Sequence, residues 1–469
     1  MSNSIVITVV PKMALFFLVT DAMTKAKSNT KKLKDLMRDD DIRELLSEIK
    51  NFHPADIAEF IMYLVPTEKK LVFSLLDTKA AADVIVQLDD ETRQLILTDI
   101  QSKRLSEIVD DLESDDAADI IDDLPDEVAQ EVLEKIDEED AEDIQMLMSY
   151  DEDTAGGIMQ TELVSVAEDD NVSVAIEEIR SISKEIEDIH NVYVVDRFGK
   201  LTGILPLRKL ILASPNKKVS NIMDTAPINV TADVDQEEVA RMFAKYDLIT
   251  IPVVDYSRKL VGRITVDDIV DVLEEEATED IIKLTGAVDE YAWSSSVIKS
   301  ATTRLPWLFA SWVGGIIASL VIGIFKDTLA EAVVLAAFMP VIAGMGGNVA
   351  SQSSTIMVRG IVIGSIDVKR IWQVVLREVR VGIILGVTYG ILLGIFAHIF
   401  YFDIVSLWLV VGLGIFASMT IAATMGTMMP LVLHKLGIDP AVASGPFVST
   451  TTDIISMFMY FTLATVIIL

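Results

Sequence analysis

Residues 446 to 469 read Pro446-Phe-Val-Ser-Thr-Thr-Thr-Asp453-Ile-Ile-Ser-Met-Phe-Met-Tyr-Phe-Thr-Leu-Ala-Thr-Val-Ile-Ile-Leu469. The run is long enough to cross a bilayer as a helix, and Asp453 is its only side chain charged at neutral pH. A charged residue at membrane depth costs several kcal/mol or more, so such residues usually face an interior pathway and bind or relay something. The oxygens of Ser449, Thr450, Thr451 and Thr452 beside it make a cation the natural guest. One carboxylate is half of what a divalent ion asks for, and a two-fold dimer would bring two copies of Asp453 onto the axis.

Four more apolar stretches precede it: Leu305 to Phe325, Ala332 to Met357, Val381 to Phe400 and Ile404 to Leu433. Five spans are therefore expected. Arg359, Lys369, Arg370, Arg377 and Arg380 fall between the second and third spans, which places that loop and the large N-terminal region in the cytoplasm and the C-terminus outside. Trp307, Trp312, Tyr401 and Trp408 lie near span ends, where aromatic belts are usual. The second span carries Gly344-Met-Gly-Gly-Asn348-Val-Ala-Ser351-Gln352-Ser353-Ser354. Its small residues permit close helix packing, and its amides and hydroxyls can equally line a wet path.

Charge is distributed unevenly along the 469 residues. From Leu305 onward seven acids balance seven bases, leaving 65 of the 72 acids and 32 of the 39 bases, and the whole net charge of −33, in the first 304 residues. Such a surface suits metal cations and excludes nucleic acid, whose phosphates need Lys and Arg clusters. There is no cysteine and there are only four histidines, so disulfides, thiolate chemistry and Cys/His zinc sites are excluded or nearly so, and carboxylate oxygens point to Mg²⁺, Ca²⁺ or Mn²⁺. His190, His398 and His434 are dispersed and read as packing or loop residues. The methionines Met425, Met428, Met429, Met457 and Met459 read as packing rather than a copper path.

From about Lys31 to Tyr150 the pattern is helical, with the recurrence Pro54-Ala-Asp-Ile57, Ala81-Ala-Asp-Val84, Leu105-Ser-Glu-Ile108, Ala117-Ala-Asp-Ile120 and Ala141-Glu-Asp-Ile144. Stacked helix pairs in a short superhelix are expected. From about Ile158 to Val272, Val192-Tyr-Val-Val-Asp196 with Leu201-Thr-Gly-Ile204 recurs as Ile251-Pro-Val-Val-Asp255 with Leu260-Val-Gly-Arg263. Two βαββα units, each small for a core of its own, are expected to pair. This layout resembles tandem cystathionine-β-synthase-type (CBS) domains, modules that often bind adenine nucleotides, so ATP is a candidate ligand. Residues 5–19, apolar but broken by Pro11 and Lys12, read as a loose extension rather than a signal peptide or span.

Gly346-Gly-Asn348 followed by Gln352-Ser353, then Gly437-Ile-Asp439-Pro440-Ala441, then Asp453, preceded by an acidic helical domain and a CBS pair, resemble the MgtE-type magnesium transporters. The likeness runs from about Lys31 to Leu469. Two departures are Ala350, where the family usually has Gly, and Gly445-Pro446, where it commonly has Asn-Pro. The resemblance implies a multidomain membrane protein: a cytoplasmic α-helical superhelical domain (31–153), tandem α+β CBS domains (154–219 and 220–267), a connecting or plug helix region (268–300) and a five-helix transmembrane domain (301–469), assembled as a homodimer.

It further implies a Mg²⁺-selective channel in the cell (inner) membrane, with Asp453, Asn348 and Gln352 along the pore and Asp453 holding hydrated Mg²⁺. Asp439 matches a position that binds metal when the channel is closed. Asp115, Asp116 and Asp119, Glu237 and Asp247, and Asp268, Asp271, Glu276, Glu279 and Asp280 resemble the family's cytosolic Mg²⁺ sites. On sequence alone most acidic runs are solvated faces. The helix expected from Asp268 to about Val288 resembles the family's plug beside the pore. With no Walker A run, aspartyl-phosphate signature or zinc-protease helix, the chain does not read as an enzyme or an ATP-driven pump. Two rivals remain: a carrier of Mn²⁺, Co²⁺ or Ca²⁺, and a nucleotide-sensing membrane receptor whose spans are only an anchor.

Overall fold

The computed structural model describes residues 49–182, 189–285, 297–362, 371–402, 404, 406–440 and 445–468. The extension at 5–19, residues 31–48 of the helical region, the basic-loop residues Lys369 and Arg370, and Ala441 lie outside the described residues, as does the side chain of Asp280. The chain divides into two compact units, one up to Val272 and one from Leu273 onward.

Among the described residues the first unit carries a series of short helices: α1 (Pro54–Met62), α2 (Pro66–Ser74), α3 (Thr78–Ile85), α4 (Asp90–Leu97), α5 (Ser102–Val109), α6 (Ser114–Asp122), α7 (Asp126–Leu133) and α8 (Glu138–Leu147). Aspartates set several starts by accepting from first-turn amides, Asp77 from Ala80 N–H at 3.1 Å and Asp89 from Thr92 N–H at 2.8 Å. The recurring small and branched residues Ala81 and Val84, Leu105 and Ile108, and Ala117 and Ile120 form the buried face. Alternate helices touch, α1 with α3, α3 with α5, α5 with α7, which is the stacking of a superhelix.

Two three-stranded sheets follow. In the first, β1 (Ser165–Ala167) runs parallel to β2 (Asn191–Val195), which runs antiparallel to β3 (Leu201–Pro206); in the second, β4 (Val230–Thr231), β5 (Thr250–Val254) and β6 (Leu260–Thr265) repeat the order. Helices α9 (Val172–Ile182) and α10 (Leu207–Leu212) belong to the first copy and α11 (Gln236–Tyr246) to the second. The pair meets through equivalent positions: Leu201 N–H donates to Arg258 O at 3.1 Å and Leu260 N–H to Gly199 O at 3.0 Å. Asn191 reaches Thr250, its counterpart 59 residues on, at 2.8 Å. Gly203 and Gly262 are required by crossings of the incoming chain, because a Cβ at either would lie 2.7 Å from the sulfur of Met223 or Met159. The second copy shares one continuous core with the helical superhelix, while the first has its own around Val192, Val194 and Leu205.

Helix α12 (Val266–Thr285) runs directly on from β6. The second unit contains α13 (Val297–Ile324), the short α14 (Lys326–Glu331), α15 (Leu335–Val362), α16 (Ile371–Phe400), α17 (Leu407–Lys435) and α18 (Pro446–Ile468). Among the described residues four helices are long and apolar enough to cross a membrane: Ser300–Ile324, Ile371–Phe400, Leu407–Lys435 and Phe447–Ile468. The stretch expected as the second span forms the 28-residue helix α15, which is not one of these four, because its Gly, Asn, Gln and Ser residues dilute its hydropathy. The third span starts ten residues before the expected Val381, at Ile371. Arg377 and Arg380 therefore belong to the helix and not to a loop; a reading based on hydropathy stops at charges that a helix end tolerates.

Helix α17 is the centre of this unit, packed on α15, α16 and α18. Gly382, Gly386, Gly390 and Gly394 line one side of α16, and a Cβ at Gly390 would lie 2.8 Å from the carbonyl oxygen of Gly412. Small residues let the two backbones approach, as in small-xxx-small contacts.

Candidate functional site

Two groups of functional side chains emerge, one in each unit. In the first unit, α6 meets the second CBS copy. Ser114 donates through its amide and hydroxyl to Glu162 at 3.0 and 2.8 Å, and Gln160 donates to Glu113 at 2.8 Å and to Asp268 at 3.4 Å. Arg263 Nη2 donates to Gln160 Oε1 at 3.2 Å from inside the sheet. Asp268 is held by Thr265, whose amide and hydroxyl donate at 3.2 and 2.7 Å. The sequence thus draws Asp115, Asp116 and Asp268 together with Glu113, Glu162 and Asp267, and the buried Arg263 acts on this cluster at Glu113.

That crowding has an electrostatic cost. Burial first, then Asp268 and Asp116, hold the Asp115 carboxyl well above the ordinary carboxylate range. Asp116 is pushed up to about 7 by burial, then by Asp268, Asp119 and Glu113. Glu113 is also pushed up to about 7, by burial and then Glu162, against the pull of Arg263. The start of a helix favours anions, yet burial and repulsion win here. Asp119 is more exposed as a residue, and desolvation, opposed by Arg93, lifts it to about 6.

Asp115 is 8% exposed and its Oδ1 has no hydrogen-bond partner among the described residues. A buried carboxylate oxygen without a partner, among acids that raise one another's pKa, is the donor set a divalent cation would relieve. Among the described residues no three His, Cys, Asp or Glu side chains converge closely enough to hold one ion directly. Mg²⁺ fits such a looser arrangement, since it keeps several waters and is often bound through one or two carboxylates.

The other expected cytosolic residues are scattered. Glu237 opens α11 and lies 3.8 Å from Arg241 in an i,i+4 ion pair. Asp247 caps the far end of the same helix in the left-handed region, φ 52°. Asp271 is exposed on α12 and contributes to the field that raises Asp116 and Asp268. Glu276 is half-buried on α12. Glu279 pairs with Lys283 at 2.5 Å, and Lys283 also lies 2.9 Å from Asp439. Burial pulls the lysine pKa down, but hydrogen bonds with Glu279 and Asp439 outweigh it and raise the value.

In the second unit the polar residues of α15 segregate by face. Gly344, Asn348, Ser351, Gln352, Thr355 and Arg359 are exposed and fall on one side at helical spacing; Gly346, Val349, Ala350, Ser353 and Ser354 are buried on the other. Ala350 therefore packs rather than lines: it is fully buried against Gly426 of α17. Gly445 precedes α18 and its carbonyl accepts from Ser449. Asp453 is half-buried on α18, and among the described residues no hydrogen bond or ion pair reaches its carboxylate. In the interior of the bundle Ser418, Ser456 and the carbonyl of Ile342 are joined by hydrogen bonds of 2.9 and 3.1 Å.

Sequence reasoning missed Glu113, Glu162, Asp267, Gln160, Arg263 and Lys283. Arg263 had a signal: it replaces the apolar Ile204 of the first CBS copy in a strand that is otherwise buried.

An acidic superhelix, a CBS pair and a bundle of membrane-length helices together fit a membrane transporter. Family models agree: the MgtE intracellular N domain matches residues 52–153, the CBS domain 155–216 and 219–275, and a divalent cation transporter domain 339–463. The magnesium transporter MgtE of Bacillus subtilis is 34% identical over 433 residues, covering 92% of this chain and 96% of that protein. The magnesium transporter MgtE of Enterococcus faecalis is 36% identical over 434 residues, covering 92% and 95%. A crystal structure of the cytosolic domain of the Mg²⁺ channel MgtE in complex with ATP is 35% identical, covers 52% of this chain and 99% of that chain, and has a TM-score of 0.49. The chain belongs to the MgtE family of magnesium transporters.

Proposed function

We propose that this chain is a Mg²⁺-selective channel that carries magnesium into the cell as a homodimer and is closed by cytosolic Mg²⁺. One observation carries the reading. An apolar bundle leaves a polar stripe on α15 exposed and covers only part of Asp453 on α18, whose carboxylate has no partner among the described residues, and neither is tolerated against lipid. A second protomer set against this face turns it into a water-lined path between subunits, with Asn348 and Gln352 along it and two Asp453 carboxylates facing one ion. Mg²⁺ sheds water reluctantly, so the pair of carboxylates holds it through its water shell and selects by hydrated size. In this arrangement α15 crosses the membrane as the second of five spans, its polarity reflecting water on one side. The N-terminal domains then lie in the cytoplasm and the C-terminus outside.

Closure is electrostatic. At low Mg²⁺ the acids around Asp115, Asp116 and Asp268 repel one another and loosen the contact between the helical domain and the CBS pair. At high Mg²⁺, Asp115, Asp119, Glu237, Asp247, Asp268 and Asp271, with Glu276, Glu279 and Asp280 on the plug helix and Asp439 at the start of the last span, would hold ions. The ions supply positive charge that the repelling acids lack, and the closed state gains by each ion it binds better than the open one. ATP is proposed for the cleft of about 250 Å³ between the CBS copies, where Thr202, Thr225, Asn229 and Arg258 offer polar contacts. Uptake by reconstituted protein at varied internal Mg²⁺ tests cargo and feedback together. Flux should fall as internal Mg²⁺ approaches millimolar levels, and flux indifferent to internal Mg²⁺ would remove the feedback.

A further inference from the structure

We propose that Glu378 is a positioning residue of the permeation path: it grips α15 from behind and fixes the rotation that points Asn348 and Gln352 into the pore. The inference rests on the pore reading above. Glu378 is 7% exposed and is the only charged side chain that the second unit buries among the described residues. Its neighbours on α16, Arg377 and Arg380, are exposed, so the helix turns its bases outward and this acid inward. Val375 on the same helix is buried in an apolar cluster with Met357 and Leu431, and among the described residues no ion pair reaches Glu378.

A carboxylate kept in such a place at the cost of burial is expected to hold something. What it meets is a hydroxyl: Ser353 Oγ donates to Glu378 Oε2 at 3.3 Å, and Ser353 is itself 4% exposed. Next to it Ser354, fully buried, has an Oγ without a hydrogen-bond partner among the described residues, so the rear of α15 carries two buried hydroxyls of which Ser353 alone is bonded to Glu378.

Ser353 follows Gln352 directly, and successive residues of a helix project about 100° apart. The bond at the back and the polar stripe at the front are therefore set by the same rotation. Elsewhere the rear of α15 packs through small residues, Ala350 against Gly426 and Gly346 against Ser418. Such contacts fix how close two helices come but leave rotation loosely defined, whereas a directional hydrogen bond between helices does not.

The chain has no cysteine, so rotation can be read by labelling. In full-length reconstituted protein carrying Gln352→Cys, the rate of modification by a charged, water-soluble thiol reagent is compared with and without Glu378→Leu, Glu378→Gln and Ser353→Ala. Glu378→Leu and Ser353→Ala should each slow labelling by about threefold or more, and should change the ratio of Mg²⁺ to Ca²⁺ uptake in the native-sequence background, as expected for loss of one interhelical hydrogen bond. Glu378→Gln, which still accepts from Ser353, should stay near the parent in both. Parent-like labelling and ion ratio in a folded Glu378→Leu protein would overturn the proposal, as would Glu378→Gln behaving like Glu378→Leu. If Glu378→Leu does not fold, the same outcomes are read from Ser353→Ala. Labelling needs no transport, so absence of Mg²⁺ flux in the parent protein would count against the channel reading and leave this test standing.

Discussion

The Lys283 ammonium at the end of α12 sits 2.9 Å from the Asp439 carboxylate ahead of α18. A position that the family resemblance assigns to metal is held here by a tethered cation, which joins the connecting helix to the last span. If that bond belongs to the closed arrangement, Lys283→Met should raise Mg²⁺ flux at low internal Mg²⁺ by about two- to fivefold, the worth of a half-exposed ion pair. The half-inhibiting Mg²⁺ concentration should rise with it. Flux and inhibition curves identical to the parent would show that the pair does not bear on gating.

Neutralising Asp268 and Asp271 together removes two of the charges that raise Asp116. The repulsion that an ion would relieve is then weaker, so the closed arrangement gains less from Mg²⁺, and Asp268→Asn with Asp271→Asn should leave the channel open at high internal Mg²⁺. Vesicle flux measured across an internal Mg²⁺ series checks this, and unchanged inhibition would count against it.

The same cluster gives a pH dependence with a defined sign. Asp116 and Glu113 are lifted to about 7 in the folded protein, above their ordinary carboxylate values. Folded protein then binds more protons than unfolded protein over that interval, so their contribution to stability is greatest below the ordinary values and is lost as pH rises towards 7. Without Mg²⁺, the contact between α6 and the second CBS copy should protect its amides from hydrogen exchange better at pH 5.5 than at pH 8. Adding Mg²⁺ should restore protection mainly at pH 8. Equal protection at both pH values would contradict the crowding.

Close packing of α15 on α17 is tested at Gly426, where a Cβ would overlap the Ala350 carbonyl oxygen, a backbone atom that cannot swing aside. Gly426→Ala should destabilise the detergent-solubilised protein by about 1–3 kcal/mol, the usual range for overpacking. A thermal midpoint equal to the parent's would show that the helices can separate at that point.

The helical repeat and the duplicated βαββα unit were legible because each rests on a local period: buried Ala and Ile at three- and four-residue spacing, and Val-Val-Asp followed by a strand with a central Gly, Gly203 or Gly262, in both copies. Lys283 with Asp439, and Ser353 with Glu378, were not legible, because each joins helices far apart in sequence. Arg377, Glu378 and Arg380 misled the reading for a different reason. Hydropathy averages over all sides of a helix, whereas one buried acid between two exposed bases is a statement about sides. In α15 the same averaging lowers the hydropathy of a helix whose polar residues lie on one face.

The most direct test of the pore is uptake by vesicles containing only the purified protein, with Asp453 intact and with Asp453→Asn. Removing the carboxylate should abolish Mg²⁺ entry while the protein still elutes as a dimer of normal stability. Mg²⁺ entry at the parent's rate through Asp453→Asn would contradict the assignment of this residue to the ion path.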